Sequence, residues 1–166
     1  MRKNTTKLIN ITDETFQDYK KPAIYLAFPY CSMKCEGCQN KDRLNDEVYN
    51  IENDAIIDRY LNNKLTSAFV FGGLEPLDSF GEVLQLVKDI RSKTDDTIVI
   101  YTGYMYGEVT YMAEKLLKYN NTIIKFGRYL PNSTCFVDSY LGVEIASSNQ
   151  YTLTGKDLNL DMENND

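Results

Sequence analysis

The sequence predicts an α/β fold in which a mainly parallel sheet forms an incomplete, open (βα) barrel. Four short apolar segments, at 23–29, 68–71, 97–101 and 122–126, have the length and composition of buried strands. Stretches with helical spacing of apolar residues separate them, and strands that alternate with helices favour a parallel sheet. A complete eight-stranded barrel needs about 250 residues, so a chain of 166 residues has room for only part of one.

Three helices are predicted between these strands. The first covers 54–61, with Asn53 as its expected N-terminal cap. The second follows Ser79, which forms with Glu82 the pattern of a capping box. The third has apolar residues at helical spacing over 109–117. Each of them therefore links one predicted strand to the next.

The domain organisation is expected to be simple. A length of 166 residues with 43% apolar residues suits one domain with one core, which we expect over 1–155. The remaining residues, 156–166, are rich in acidic side chains and are expected to form a frayed, disordered tail.

Charge and hydropathy narrow the class of protein. The formal net charge is -6 and no basic patch is evident, so we expect no nucleic-acid partner. No apolar run approaches the roughly 18 residues that a membrane-spanning helix needs, and the basic start of the chain is not followed by the apolar segment of a secretory signal. A cytoplasmic location without membrane association is the expectation.

Three clustered cysteines are the strongest chemical signal. Cys31, Cys35 and Cys38 have the spacing C-x3-C-x2-C, with no fourth cysteine nearby. Three thiolates on one loop can hold an iron–sulfur cluster and leave one iron without a protein ligand, so that a cofactor can bind there. Two alternatives stay open, namely a structural zinc site with the distant Cys135 as fourth ligand and a cluster of cysteines without a metal.

The absence of histidine limits the other kinds of chemistry. The sequence contains no histidine, which excludes the usual zinc fingers, the Ser-His and Cys-His nucleophile systems and most general-base schemes. No side chain is therefore assigned as catalytic. If the protein is an enzyme, a cofactor is expected to supply the reactive chemistry.

The other candidate motifs all follow predicted strands. Gly72-Gly73 ends the second strand, Thr102-Gly103 ends the third and Gly127 ends the fourth, while the cysteine loop follows the first. Because the carboxyl ends of parallel strands lie at one edge of a sheet, these motifs are expected to meet in a single site.

The cysteine spacing and the segment Gly72-Gly73-Leu74-Glu75-Pro76 resemble the radical S-adenosylmethionine (SAM) superfamily. The resemblance implies a [4Fe–4S] cluster held by the three cysteines and SAM bound to the open iron. It also implies that Gly72, Gly73 and Glu75 meet the amino group of SAM. Leu74 is an additional residue relative to the Gly-Gly-Glu-Pro motif of that family. A simple turn at the end of a strand is the alternative interpretation of these glycines.

Four further segments resemble the family of anaerobic ribonucleoside-triphosphate reductase-activating proteins. They are Cys35-Glu36-Gly37-Cys38-Gln39-Asn40, Tyr101-Thr102-Gly103-Tyr104, Phe126-Gly127-Arg128-Tyr129 and Ala146-Ser147-Ser148-Asn149-Gln150, in the order and at the overall length of that family. Phe126 stands where the family has aspartate. The resemblance implies a glycyl-radical-generating oxidoreductase that acts on a large reductase partner and takes electrons from an external one-electron donor.

Three residues are further candidates for contact with SAM. Thr102 and Gly103 offer a hydroxyl and a bare backbone at a strand end, and Asn40 offers an amide. A plain strand-to-helix loop and a capped loop are the alternatives for these residues.

Two other functions are retained. One is a small radical SAM enzyme that acts on a small molecule, such as a short deazapurine synthase, and the other is a regulatory module that binds a cluster or zinc without catalysis. A convergent set of charged groups in the site would favour the small-molecule enzyme.

Overall fold

The computed structural model describes residues 2–33 and 41–163. In chain order, its strands are β1 (Thr5–Leu8), β2 (Asn10–Thr15), β3 (Ala23–Phe28), β4 (Tyr49–Glu52), β5 (Ala68–Gly73), β6 (Thr97–Tyr101), β7 (Thr122–Phe126), β8 (Phe136–Val137), β9 (Glu144–Ile145) and β10 (Tyr151–Thr154). Its α-helices are α1 (Asn53–Leu61), α2 (Phe80–Arg91) and α3 (Thr110–Leu117). Short 3₁₀ helices cover Lys41–Asn45, Pro76–Ser79 and Tyr106–Glu108.

A six-stranded mixed sheet is the centre of the fold. Its strand order is β10-β7-β6-β5-β3-β2. The four central strands β3, β5, β6 and β7 are parallel, whereas β2 and β10 pair antiparallel at the two edges. The predicted α/β class and mainly parallel sheet are therefore confirmed. Within the described residues no ladder joins β2 to β10, so the sheet is open.

The two faces of the sheet have different roles. Side chains on one face, including Phe71 of β5 and Ile100 of β6, pack against α1, α2 and α3 in the main core. The opposite face carries smaller apolar residues such as Ala68 and Val70, which pack with Tyr19, Leu141 and Ile145. The alternation of side chains along each strand produces this division.

Sequence periodicity located the central strands and helices well. All four predicted strands and all three predicted helices are present within two residues of their expected bounds. The polar segment before residue 23, which gave no clear signal, forms β1 and β2. β1 pairs with β4 in a separate two-stranded ladder, and β2 extends the main sheet beside β3.

The predicted cap of α1 and the predicted capping box of α2 are both wrong, because distant residues bind the side chains of Asn53 and Glu82. Asn53 is the first residue of α1 rather than its cap. It is buried, accepts a 2.6 Å hydrogen bond from Thr6 Oγ1 and donates one of 2.8 Å to Asp89. Ser79 occupies the N-cap position of α2 as expected, but its side chain forms no capping hydrogen bond. Its expected partner Glu82 instead accepts from the backbone N–H and the ammonium of Lys7.

The described part of the acidic C-terminal segment contacts the rest of the protein. Leu158 and Leu160 pack against the main core. The backbone N–H of Glu163 donates a 2.8 Å hydrogen bond to the carbonyl of Lys118. Among the described residues, no helix has both the length and the apolar character needed to cross a membrane.

Candidate functional site

A pocket lies at the carboxyl ends of the parallel strands, on the face away from the helices. Its lining comes from the loops after β3, β5, β6 and β7, as the strand-end motifs predicted. The described residues that line it are Tyr25, Cys31, Met33, Gly72, Gly73, Leu74, Glu75, Tyr101, Thr102, Gly103, Lys125, Gly127, Arg128, Tyr129 and Gln150. The structure thus brings together Cys31 and the expected SAM-contact residues Gly72, Gly73, Glu75, Thr102 and Gly103.

The glycine pair allows β5 and β3 to approach closely at their ends. Gly73 has a φ of 88°, a conformation that other residues adopt only with strain. A Cβ atom on Gly73 would lie 2.7 Å from the backbone nitrogen of Phe28. The N–H of Gly73 donates a 2.7 Å hydrogen bond to the Tyr25 hydroxyl, whose ring covers Gly72. A side chain at either position would therefore disturb the pocket wall.

Glu75 is fully buried, and its carboxylate accepts hydrogen bonds from three groups. Thr102 Oγ1 lies 2.9 and 3.0 Å from the two carboxylate oxygens. The backbone N–H groups of Gly103 and Leu77 donate at 2.8 and 2.9 Å. Burial nevertheless raises the pKa of Glu75 to about 7, against the opposing effect of these donors. A cationic ligand would favour the ionised carboxylate, because it would compensate the buried charge.

The additional residue Leu74 belongs to a turn that is anchored to the end of β3. The N–H of Leu74 donates to the carbonyl of Phe28 at 3.0 Å, and the N–H of Glu75 donates to that of Tyr30 at 2.9 Å. These bonds direct the Glu75 carboxylate towards Thr102 and the pocket, so the insertion does not remove the acid from the site.

Gly103 provides space for the loop that carries the cysteines. A Cβ atom on Gly103 would lie 2.8 Å from Met33 Cε and 3.0 Å from Met33 Sδ. Real Cβ atoms do not approach other atoms so closely, so the methionine packs where a side chain at position 103 would stand. Met33 is two residues from Cys31, and this contact therefore joins the start of the cysteine loop to the end of β6.

A second contact, which we call the loop latch, is formed by Ser32, Asp78 and Tyr104. The N–H of Ser32 donates a 2.7 Å hydrogen bond to Asp78 Oδ2. The Tyr104 hydroxyl donates to Asp78 Oδ1 at 2.6 Å and lies 3.1 Å from the Ser32 hydroxyl. The latch fixes the backbone beside Cys31 to the residues that follow β5 and β6.

The structure describes two of the four cysteines, Cys31 and Cys135. Cys31 lines the pocket, where its thiol lies 3.6 Å from the carbonyl oxygen of Met33. Cys35, Cys38 and Asn40 lie outside the described residues. Cys135 is exposed, and its thiol lies 3.5 Å from the carbonyl oxygen of Ala146. A metal-ligand role for Cys31 is compatible with this position, because a thiolate there would face the same pocket as Glu75.

Pocket residues that the sequence did not assign to the site include Tyr25, Met33 and Lys125, and Tyr101 was noted only as part of a motif. Lys125 is half-buried, and its ammonium lies 4.8 Å from the centre of the Tyr101 ring on the neighbouring strand. Burial lowers the pKa of Lys125 to about 8. The available signal was a lysine inside the otherwise apolar strand Thr122–Phe126. Strand alternation places Lys125 on the face away from the helices and Phe126 in the main core.

Arg128 also reaches the pocket, but it has partners on the protein surface. Its guanidinium forms hydrogen bonds of 2.9 and 3.0 Å with the two carboxylate oxygens of Glu108. This contact lowers the pKa of Glu108 to about 2. Asn149 donates a 2.8 Å hydrogen bond to the carbonyl of Arg128 and so holds the backbone of the loop after β7.

The donor set of the pocket fits an iron–sulfur cluster with a cationic ligand beside it. A cysteine thiol is the usual protein ligand of such clusters, and Cys31 provides one at the pocket wall. The Glu75 carboxylate, buried and surrounded by donors, can accept a hydrogen bond from an ammonium group. The two groups come from neighbouring strand ends, so one ligand could contact both.

Comparison with known proteins identifies the family. The family model of 4Fe-4S single cluster domains matches residues 23–138, which is more than half of the chain and includes the three-cysteine loop. No significant match is found among curated proteins. The extent of the family match, together with the cysteine at the pocket, shows that the chain belongs to the 4Fe-4S single cluster domain family.

Proposed function

We propose that this protein is a radical SAM activase that generates a glycyl radical on an anaerobic ribonucleoside-triphosphate reductase. The observation that carries the proposal is the meeting of Cys31, Glu75, Thr102 and Gly103 in one pocket at the carboxyl ends of the parallel strands. Cys31 and Glu75 come from two motifs of the radical SAM superfamily that the sequence resembles. Thr102 and Gly103 come from a segment that resembles the activating-protein family. Membership of the 4Fe-4S family supports the cluster.

The chain supplies ligands and positioning in this proposal, and the cofactor supplies the chemistry. When bound, a reduced [4Fe–4S] cluster supplies the electron that cleaves SAM to methionine and a 5'-deoxyadenosyl radical, which removes a hydrogen atom from a glycine Cα of the partner. Cys31, Cys35 and Cys38 would hold the cluster, and Gly72, Gly73 and Glu75 would hold the amino group of SAM. Thr102, Gly103 and Asn40 are the further proposed SAM contacts.

The open sheet suits a substrate that belongs to another protein. In an incomplete barrel over 1–155, the edges β2 and β10 would leave a gap that a glycine-bearing loop of the reductase could enter. The ordered series of motifs that resembles the activating-protein family supports this partner rather than a free small molecule.

A second candidate is a small radical SAM enzyme that acts on a small molecule. The observation that favours it is the presence of two oppositely charged groups, Glu75 and Lys125, in the same pocket. Convergent charges of this kind are typical of sites that orient a polar small molecule.

Anaerobic reconstitution followed by electron paramagnetic resonance separates these functions. The reconstituted protein is mixed with SAM, a strong reductant and the anaerobic ribonucleotide reductase from the same source. We expect a glycyl radical on the reductase and one 5'-deoxyadenosine for each radical formed. A reductase variant in which the reacting glycine is alanine is the control. SAM cleavage without a radical on the reductase would contradict the activase and leave the small-molecule enzyme. A colourless protein with bound zinc would contradict both.

A further inference from the structure

The side chain of Arg128 joins two strand-end loops at the rim of the pocket. Its guanidinium binds both carboxylate oxygens of Glu108, at 2.9 and 3.0 Å, an arrangement that fixes the orientation of the planar group. The same guanidinium lies over the ring of Tyr104, with its central carbon 5.9 Å from the ring centre. This distance is within the range of a cation–π contact. Glu108 therefore holds Arg128 over the Tyr104 ring.

The backbone from which Arg128 extends is held by a second motif. The carbonyl of Arg128 accepts a 2.8 Å hydrogen bond from the amide of Asn149, and the carbonyl of Gly127 accepts one of 3.1 Å from Gln150. The N–H of Gly127 donates to the carbonyl of Tyr104 at 3.0 Å. The two amides belong to a sequence motif to which the proposed function gives no role. Here they fix the loop after β7 beside the loop after β6.

Tyr104 connects Arg128 to the cysteine loop. Its hydroxyl forms the loop latch with Asp78 and Ser32, and Ser32 directly follows Cys31 in the chain. Tyr104 is half-buried, so each contact on its ring restricts the directions in which the hydroxyl can point. The guanidinium over the ring therefore favours the position in which the hydroxyl reaches Asp78.

We infer that Arg128 is a positioning residue for the cysteine loop, and that it acts through the ring and the hydroxyl of Tyr104. The contacts run from the loop after β7, through the loops after β6 and β5, to the residue beside Cys31. The order of the cysteine loop thus depends on an ion pair that lies at the end of the fourth parallel strand. The inference rests on the cluster family to which the chain belongs, and it needs neither SAM nor a partner protein.

Matched arginine variants test whether Arg128 holds the loop. Arg128→Gln removes the ion pair with Glu108 and the charge over the ring. Arg59→Gln is the control, because Arg59 binds both carboxylate oxygens of Asp13, at 2.5 and 2.9 Å, in an ion pair of similar exposure between α1 and β2. In the reconstituted proteins, mass spectrometry measures hydrogen exchange of the Ser32 amide, and a chelator measures the rate of iron loss.

The two arginine variants should differ. We expect Arg128→Gln to exchange the Ser32 amide and to lose iron about two- to fivefold faster than the wild type, as the loss of one exposed ion pair implies. Arg59→Gln should leave both rates unchanged. Equal rates in the wild type and Arg128→Gln would overturn the inference, and so would an equal increase in the two variants.

A double variant tests whether Arg128 acts through Tyr104. Tyr104→Phe keeps the ring and removes the hydrogen bond to Asp78, so the series of contacts is already broken. Adding Arg128→Gln to Tyr104→Phe should then cause no further increase in Ser32 exchange or iron loss. Two effects that multiply in the double variant would show that Arg128 acts independently of Tyr104 and would overturn the inference.

Glu108→Gln gives a second form of the test that leaves Arg128 in place. Its amide oxygen can still accept the hydrogen bond from the N–H of Met105, while the charge that holds the guanidinium is lost. It should raise both rates in the wild type and neither in Tyr104→Phe. Unchanged rates in a protein that does cleave SAM would overturn this inference alone. A protein that holds the cluster without cleaving SAM would contradict the proposed function and leave the inference intact.

Discussion

Thr102 Oγ1 donates its hydrogen bond to the carboxylate of Glu75 across two neighbouring strand ends, at 2.9 and 3.0 Å from its two oxygens. Because Gly103 also donates to Glu75, the loop after β6 holds the buried acid in the pocket. The contact joins two motifs that are 27 residues apart in the chain. It gives the pocket one buried acid whose ionisation depends on what else is bound.

The Glu75 carboxyl should make stability depend on pH. Its folded pKa of about 7 is above the ordinary value of 4.5, so the folded protein retains a proton that the unfolded chain has lost between these values. The free energy of unfolding of the wild type should therefore fall as pH rises from 4.5 to 7, by about 3 kcal/mol at most. The free energy of unfolding of Glu75→Gln should not show this fall, because a glutamine amide does not titrate in this range.

Denaturant unfolding at a series of pH values measures this difference. Glu75→Gln also loses an acceptor for one of its donors, so its stability is expected to be lower at any single pH. The informative quantity is the difference between the two pH profiles. Parallel profiles for the wild type and Glu75→Gln would show that Glu75 is already ionised at low pH.

Gly103→Ala should displace Met33 and, with it, the start of the cysteine loop. The new methyl group would overlap the flexible end of Met33, which must move aside, so the cost is expected at the lower end of the range for overpacking, about 1 kcal/mol. We expect a lower melting temperature and less iron retained after reconstitution. Gly107→Ala is the control, because a Cβ there meets no other atom within 4 Å.

A second substitution distinguishes the contact from a general loss of stability. Met33→Ala in the Gly103→Ala background should restore iron retention, because the shorter side chain leaves space for the new methyl group. Retention that stays low in the double variant would contradict the assigned contact.

Tyr104→Phe should loosen the loop latch without changing the shape of the pocket. The variant loses the bond to Asp78 and the contact with Ser32, which corresponds to about 1 kcal/mol. We expect faster amide hydrogen exchange at Ser32 and Met33, and faster loss of the cluster to a chelator. Tyr111→Phe is the matched control on an exposed ring. Equal exchange in the two variants would show that the latch does not hold the loop.

The two classes of cysteine should behave differently. Cys35→Ala should abolish cluster binding, because it removes one of three expected thiolate ligands. Cys135→Ala should leave iron content and SAM cleavage unchanged, since Cys135 is exposed and its thiol lies near a backbone carbonyl. Iron and sulfide analysis after anaerobic reconstitution measures both. Loss of iron from the Cys135 variant would indicate four protein ligands.

Local sequence patterns predicted the parts of the fold that depend on neighbouring residues. Apolar runs located the four parallel strands, and their order placed Gly72, Glu75 and Thr102 at one end of the sheet. Asn53 and Glu82 were misassigned because Thr6, Asp89 and Lys7 compete for their side chains, and such long-range contacts leave no mark on local spacing.

The residues of the candidate site were likewise predictable only where a local sequence motif marks them. The Gly-Gly and Glu-Pro residues could be recognised from their order, whereas Lys125 was overlooked because it occurs inside a strand of apolar residues. Its importance depends on which face of β7 it occupies and on the adjacent Tyr101, and both follow from strand pairing. The loop latch was likewise not predictable, because Ser32, Asp78 and Tyr104 come from three separate loops.

The electron paramagnetic resonance spectrum of the reduced cluster, recorded with and without SAM, tests most directly whether SAM binds an iron that no cysteine holds. The wild type and Cys135→Ala should both show a cluster signal whose shape changes when SAM is added, followed by formation of 5'-deoxyadenosine. A cluster signal that SAM leaves unchanged, or a protein that takes up zinc and no cluster, would contradict the proposed radical chemistry.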